Sequence, residues 1–162
     1  MSDSGASATP GIHVPPPLVF IGGFAAGWLL HRRWPSPLPL FGAAAPDVRP
    51  GLGWALVAGG LALMWTGLAT FLLARTAVLP IRPATRLVTT GLYRFSRNPM
   101  YLGMTLVYAG SALVIDSVWP LALLPLVLVL LVRFVIRLEE RYLAARFGEA
   151  YEAYRRRVRR WI

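Results

Sequence analysis

Residues Leu52 to Ala74 run for 23 positions without a charged side chain, long enough for a helix to cross the roughly 30 Å hydrocarbon core of a bilayer with some tilt. Two more uncharged stretches, Asn98 to Ile115 and Ser117 to Val132, are separated by Asp116 alone. A carboxylate at the membrane centre costs about 2.5 to 3.5 kcal/mol on insertion scales, so Asp116 is expected at the far turn of a helical hairpin. Pro120 suits the first turn of the returning helix, and Pro125 is expected to bend it. Leu18 to Leu30, extended at its start by Pro15-Pro16-Pro17, forms a shorter first helix. It does not read as a cleaved signal peptide, because such a segment carries positive charge before its apolar core and here Arg32 and Arg33 follow it.

These stretches predict an all-α integral membrane protein of about four transmembrane helices, near residues 18–30, 52–74, 98–115 and 117–136. Residues 1–17 are expected to be a flexible tail and 18–162 a single domain. His31 to Gly51, rich in Pro, Ala and Gly, reads as a loop. Gly23 and Gly27 make a GxxxG step on the first helix, and Ala55, Gly59, Ala62 and Thr66 form a small-residue stripe on the second; such faces permit close helix contact. From Leu138 onward, Phe147, Tyr151, Tyr154, Val158 and Trp161 recur at steps of four and three, which predicts an amphipathic interfacial helix over 138–160, with Gly148 as a possible interruption.

Hydrophobic residues make up 56% of the chain and charged ones only 15%, and most of the charge falls in two zones, Arg75 to Arg97 and Arg137 to Trp161. The loop before the hairpin and the tail after it carry most of the arginines, which predicts that both chain ends are cytoplasmic, as in a prokaryotic inner membrane. The net charge of +10 flanks apolar spans and accompanies no nucleic-acid motif, so anionic lipid headgroups are the expected partner and nucleic acid is not. The absence of Cys removes thiolate metal sites and cysteine nucleophiles. His13 and His31 lie too far apart in the sequence to suggest a metal site, and none is expected.

Two polar patches carry the chemistry. The first holds Tyr93, Arg94, Arg97, Asn98, Pro99 and Tyr101 at the start of the hairpin; the second begins at Glu139 and Glu140, just past its end. The quoted runs Gly91-Leu92-Tyr93-Arg94, Ser96-Arg97-Asn98-Pro99-Met100-Tyr101-Leu102-Gly103 and Glu139-Glu140, followed by Leu143, Phe147-Gly148, Tyr151, Tyr154 and Val158, resemble the isoprenylcysteine carboxyl methyltransferase family, related to the phospholipid N-methyltransferases. The resemblance covers roughly Leu87 to Trp161. It implies an integral membrane methyltransferase that uses S-adenosylmethionine on a hydrophobic or lipid-borne acceptor, such as an isoprenylcysteine-type carboxylate, at a cytoplasmic site. It also implies that Arg97, Pro99, Tyr101, Glu139 and Glu140 contribute to the cofactor pocket. This chain departs from the family pattern in having Asn98 where many members have His, Leu92 in place of Pro, and Val158-Arg159 in place of Val-Pro.

The residue types suit that donor on their own terms. Arg97, or Arg94, can take its carboxylate bidentately. Glu139 or Glu140 can accept from its ammonium or ribose hydroxyls, and Tyr93 and Tyr101 offer ring surface beside a cation. Arg97, Tyr101 and Glu140 are the expected catalytic residues. Tyr93, Arg94, Asn98, Pro99, Tyr101, Gly103, Glu139 and Glu140 are the expected cofactor contacts. A phospholipid N-methyltransferase, a small-thiol S-methyltransferase and a non-catalytic membrane lipid-binding or assembly protein are the competing readings. The last treats Asn98-Pro99 as a plain helix start and the arginines and tyrosines as an interfacial belt.

Overall fold

The computed structural model describes residues 14–38, 48–75 and 84–162. Most of the predicted tail, the middle of the loop after the first helix, and Arg82 lie outside the described residues. Among the described residues all regular structure is helical: α1 (Pro16–Arg33), α2 (Val48–Leu73), a 3₁₀ turn (Gly91–Arg94), α3 (Pro99–Val114), α4 (Val118–Leu131), α5 (Arg137–Phe147) and α6 (Glu149–Arg157). A π turn over Val132–Ile136 joins α4 to α5, so Val118–Phe147 is one uninterrupted helical rod of 30 residues. That rod and α2 are long and apolar enough to cross a membrane; α3 is apolar but shorter.

As expected, the proline run opens α1: Pro15 is its N-cap and Pro16 and Pro17 occupy its first turn, where the missing N–H is no loss. Residues His31, Arg32 and Arg33 fill its last turn and complement the negative end of the helix dipole. Helix α1 lies antiparallel against α4: a Cβ at Gly27 would stand 2.7 Å from the Pro120 backbone, and one at Gly23 would strike Val127. The GxxxG step is therefore a helix contact. Pro125 sits inside α4, which continues through it to Leu131.

Helices α2 and α3 pack antiparallel along a different face from the one expected. Ala55, Gly59, Ala62 and Thr66 are exposed, and the buried residues of α2 are Gly53, Gly60 and Gly67. A Cβ at Gly60 would lie 2.6 Å from the Gly103 carbonyl oxygen, and one at Gly53 would lie 2.9 Å from that of Gly110. Glycines seven apart recur every two turns and form a seam along which backbones touch. The helix carries two small-residue stripes, and the one without any Cβ permits the closer approach.

Asp116 marks the far turn of the hairpin as expected. It has φ 54°, accepts from the Leu38 N–H at 3.0 Å and pairs with Arg49 at 3.4 Å. The Ser36 carbonyl accepts from the Val118 N–H at 3.1 Å, and that of Trp34 from the Trp119 indole at 2.7 Å. The chain after α1 and the start of α2 are thus fastened to the hairpin tip.

The core at the other end is built from Phe20, Tyr101, Tyr108, Val127, Leu131, Val135 and Ile136. The predicted terminal amphipathic helix is broken in two at Gly148, whose φ of 52° and ψ of −126° favour glycine, and it ends at Arg157 rather than 160. Its apolar face is already covered. Tyr151, Tyr154 and Val158 are buried with Leu87, Leu143, Ala144 and Phe147 in a second cluster, because the chain folds back at α6 onto the start of α3.

Candidate functional site

The fold-back brings three segments together around a cavity of about 240 Å³. The start of α3 contributes Arg97, Asn98, Met100 and Tyr101; α5 contributes Glu139, Glu140 and Leu143; α6 contributes Tyr151 and Tyr154. Phe71 and Tyr93 complete an aromatic wall, their rings meeting edge to face at 5.1 Å.

Pro99 stands at the first position of α3 and Asn98 at its N-cap, but Asn98 makes no capping bond. Its Nδ2 instead donates to the Arg160 carbonyl at 2.9 Å. The Arg97 N–H donates to the Arg159 carbonyl at 3.0 Å, and Ser96 Oγ reaches the Arg160 carbonyl at 3.4 Å. Past Val158, which is extended, the terminal segment is thus pinned along the entrance to α3. Tyr154 adds a buried hydrogen bond from its hydroxyl to the Tyr93 carbonyl at 2.6 Å.

Arg97 Nη1 lies 3.1 Å from Glu140 Oε1 and 3.3 Å from the Tyr151 hydroxyl, with the Arg97 and Glu140 side chains only 11% and 15% exposed. The Nε of Arg97 is buried and has no partner among the described residues. Tyr101 donates to Glu139 Oε2 at 2.9 Å. Arg160 grips Glu140 from outside the cavity, Nε to Oε1 at 3.0 Å and Nη2 to Oε2 at 2.7 Å. This hydrogen bond with Glu140 is the main reason the Arg160 guanidinium holds its proton more tightly than usual.

Burial pushes Tyr93, Tyr151 and Tyr154 above the ordinary tyrosine range. The Glu139 charge reinforces this at Tyr93 and the Glu140 charge at Tyr151, while Arg97 opposes it at Tyr151 and Tyr154. The three hydroxyls therefore stay neutral near pH 7 and act as hydrogen-bonding groups.

The expected residues separate into two sets. Tyr93, Arg97, Asn98, Tyr101, Glu139 and Glu140 line the one cavity. Arg94 is exposed and stacks on Phe95 at 4.5 Å, so of the two expected arginines it is Arg97 that lines the cavity, where Arg86 joins it. Gly103 faces Gly60 and Met64 in the α2 seam, and Pro99 shapes the helix start without lining the cavity. Sequence reasoning passed over Phe71, Met100 and Met104, which line it, and Arg160. The hydrophobic run of α2, and the positions of Met100 inside the Ser96–Gly103 run and Met104 just past it, gave no signal of a shared cavity. Among the described residues no cluster of His, Asp and Glu could hold a metal ion.

A second cavity, of about 580 Å³, lies between α1, α2 and α3 and is almost wholly apolar, with Phe20, Phe24, Trp28, Leu61 and Met64 in its walls. Pro17 and Met104 line both cavities, so the two adjoin.

An arginine–carboxylate pair in the wall of an aromatic cavity that adjoins an apolar groove suits a zwitterionic group and a hydrophobic one side by side. One relative, the protein-S-isoprenylcysteine O-methyltransferase of Schizosaccharomyces pombe, is 36% identical over 72 residues, covering 44% of this chain and 30% of that enzyme. The aligned part therefore spans less than a third of the relative's length. Residues 48–150, from the start of α2 into α6, match the phospholipid methyltransferase family, and with nearly two thirds of its length inside that match the chain belongs to this family.

Proposed function

We propose that this protein is an S-adenosylmethionine-dependent membrane methyltransferase acting on a hydrophobic or lipid-borne acceptor. The observation that carries the reading is the buried Arg97–Glu140 pair, 3.1 Å apart, in the wall of the aromatic cavity.

In this reading Arg97 holds the donor's carboxylate and Glu140 its ammonium, while Phe71, Tyr93 and Tyr154 provide the ring surfaces for the nucleoside. S-adenosylmethionine supplies, when bound, a methyl group on a sulfonium that leaves by in-line displacement. The protein's part is to hold acceptor and methyl at near-attack distance and to exclude water. The acceptor approaches from the apolar groove past Met104 and Pro17. If it presents a carboxylate, opposite charges neutralise as the new bond forms, and no base is needed. If it presents an amine, Glu139, held by the Tyr101 hydroxyl, is the group placed to take the proton. Labelled-methyl product analysis separates the two, because methyl esters hydrolyse in base and N-methyl groups do not.

The four helices α1, α2, α3 and the α4 part of the long rod cross the bilayer, with the site at the cytoplasmic face. The exposed Arg137, Arg141, Arg146, Arg155 and Arg156 meet anionic headgroups there. Calorimetry on the detergent-purified chain tests the core of the reading: S-adenosylhomocysteine binds, and Arg97→Ala and Glu140→Ala weaken it by tenfold or more, as expected for charge-assisted bonds worth at least about 1.4 kcal/mol. Absence of binding by the folded wild-type protein overturns it.

A further inference from the structure

Arg160 grips Glu140 on both carboxylate oxygens. An ionised carboxylate offers about four acceptor positions, two on each oxygen. Oε1 accepts from Arg160 Nε at 3.0 Å and Oε2 from Arg160 Nη2 at 2.7 Å, while Arg97 Nη1 stands 3.1 Å from Oε1 as an ion pair. Arg160 thus fills one position on each oxygen, Arg97 stands against Oε1, and a second position on Oε2 is open. The Arg160 contact is a two-pronged fork onto both oxygens, which fixes the plane of the carboxylate as well as neutralising it. Arg160 is not itself a lining residue of the cavity and its side chain is 34% exposed, so it acts on the site from behind. Its placement is not accidental to the chain's path, because the Arg160 carbonyl accepts from Asn98 Nδ2 at 2.9 Å and the preceding carbonyl from the Arg97 N–H at 3.0 Å.

We propose that Arg160 is a positioning residue for the amino-acid end of the donor: its fork turns Glu140 so that an open acceptor position on Oε2 receives the donor's ammonium while Arg97 receives the carboxylate. This inference rests on the methyltransferase reading and assigns the two ends of the cavity. The Arg97–Glu140–Arg160 cluster, with net charge +1, takes the zwitterionic end. Tyr101, Glu139 and Met104 lie towards the apolar groove and the reacting end. The fork geometry, not the positive charge alone, is what matters, so lysine replaces Arg160 poorly.

The test uses two nucleosides that differ in that end. S-adenosylhomocysteine carries the amino acid, and 5′-methylthioadenosine lacks it. Binding of each to the full-length chain in detergent is measured by calorimetry for wild type, Arg160→Gln and Arg160→Lys, with thermal unfolding of each variant alongside. The expected result is that Arg160→Gln weakens S-adenosylhomocysteine about tenfold or more while 5′-methylthioadenosine changes less than about twofold, and that Arg160→Lys recovers only part of the loss. Equal weakening of both nucleosides in a variant that unfolds at the wild-type temperature overturns the proposal, since Arg160 would then only prop the wall. Full rescue by lysine, or no change in either variant, overturns it as well. Should Arg160→Gln fail to fold, the Arg160→Lys comparison decides alone: selective loss of S-adenosylhomocysteine binding supports the fork, and none refutes it. Wild-type protein that binds neither nucleoside refutes the methyltransferase reading itself.

Discussion

The adjacent glycines Gly59 and Gly60 offer a comparison in which composition, depth and helix position are almost held constant. A Cβ at Gly60 would stand 2.6 Å from the Gly103 carbonyl oxygen, whereas one at Gly59 would meet nothing within 4 Å. Alanine at either site gains up to about 1 kcal/mol of helix propensity. At Gly60 the obstructing atom is backbone, which cannot rotate away, so α2 and α3 must separate from 2.6 Å to at least 3.0 Å at that point. Forcing such an opening in a packed interface costs about 1–3 kcal/mol, occasionally more. The propensity gain is common to both and cancels, so Gly59→Ala is neutral or stabilising, Gly60→Ala is the less stable, and the two differ by about 1–3 kcal/mol. At about 2–4 °C per kcal/mol for a chain of this size, the midpoints differ by about 2–12 °C. Thermal unfolding in one detergent, followed by tryptophan fluorescence, measures this directly. Equal shifts for the two variants would refute the glycine seam, and with it the position of Phe71 and the start of α3 on opposite walls of the cavity.

If geometry as well as charge is used, Arg97→Lys and Glu140→Asp each lower methyl transfer at least about tenfold; a non-catalytic lipid-binding protein would leave nucleoside binding and membrane association unaffected by both, which labelled-methyl incorporation and calorimetry distinguish. Tyr154→Phe leaves the buried Tyr93 carbonyl without its donor and costs about 1–3 kcal/mol, read as a lower unfolding midpoint. Gly148→Ala meets no atom within 4 Å but must adopt φ 52°, so it destabilises by about 1–3 kcal/mol through backbone strain alone; an unchanged midpoint would sink that account. Burial holds Tyr93 and Tyr154 above the ordinary tyrosine range, while in the unfolded chain they ionise at about pH 10. Their contribution to stability is complete below that value and is lost as the pH rises beyond it, so unfolding and tyrosinate absorbance should appear together in alkaline titration.

The uncharged runs and the single Asp116 made the hairpin legible, because charge is expensive in hydrocarbon whatever the packing. The meeting of Arg97 with Glu140 was legible for a related reason: the two ends of one hairpin must come to the same membrane face. Side-chain choices within a patch were not. Arg94 and Arg97 are equivalent by composition, and only the 3₁₀ turn over Gly91–Arg94 turns the first outwards. Arg160 was hidden among five arginines between Arg155 and Arg160, since nothing local says that the chain becomes extended at Val158. The stripe on α2 failed for another reason. Periodicity finds small faces, but which of two such faces a neighbour occupies depends on that neighbour's own glycines, here Gly103 and Gly110.

The π turn at Val132–Ile136, where the Arg137 N–H bonds the Val132 carbonyl five residues back, accommodates one residue more than an α-helical turn would. Each residue of an α-helix advances about 100° around its axis, so removing that surplus residue would swing Glu139 and Glu140 by about that angle relative to the lipid-facing half of the rod. The wide turn therefore behaves as a phase coupling between two lengths of one shaft. The apolar length can exchange its exposed residues Leu126, Val129 and Leu130 without disturbing the core, and the acidic length keeps its azimuth towards Arg97 as long as the coupling is intact.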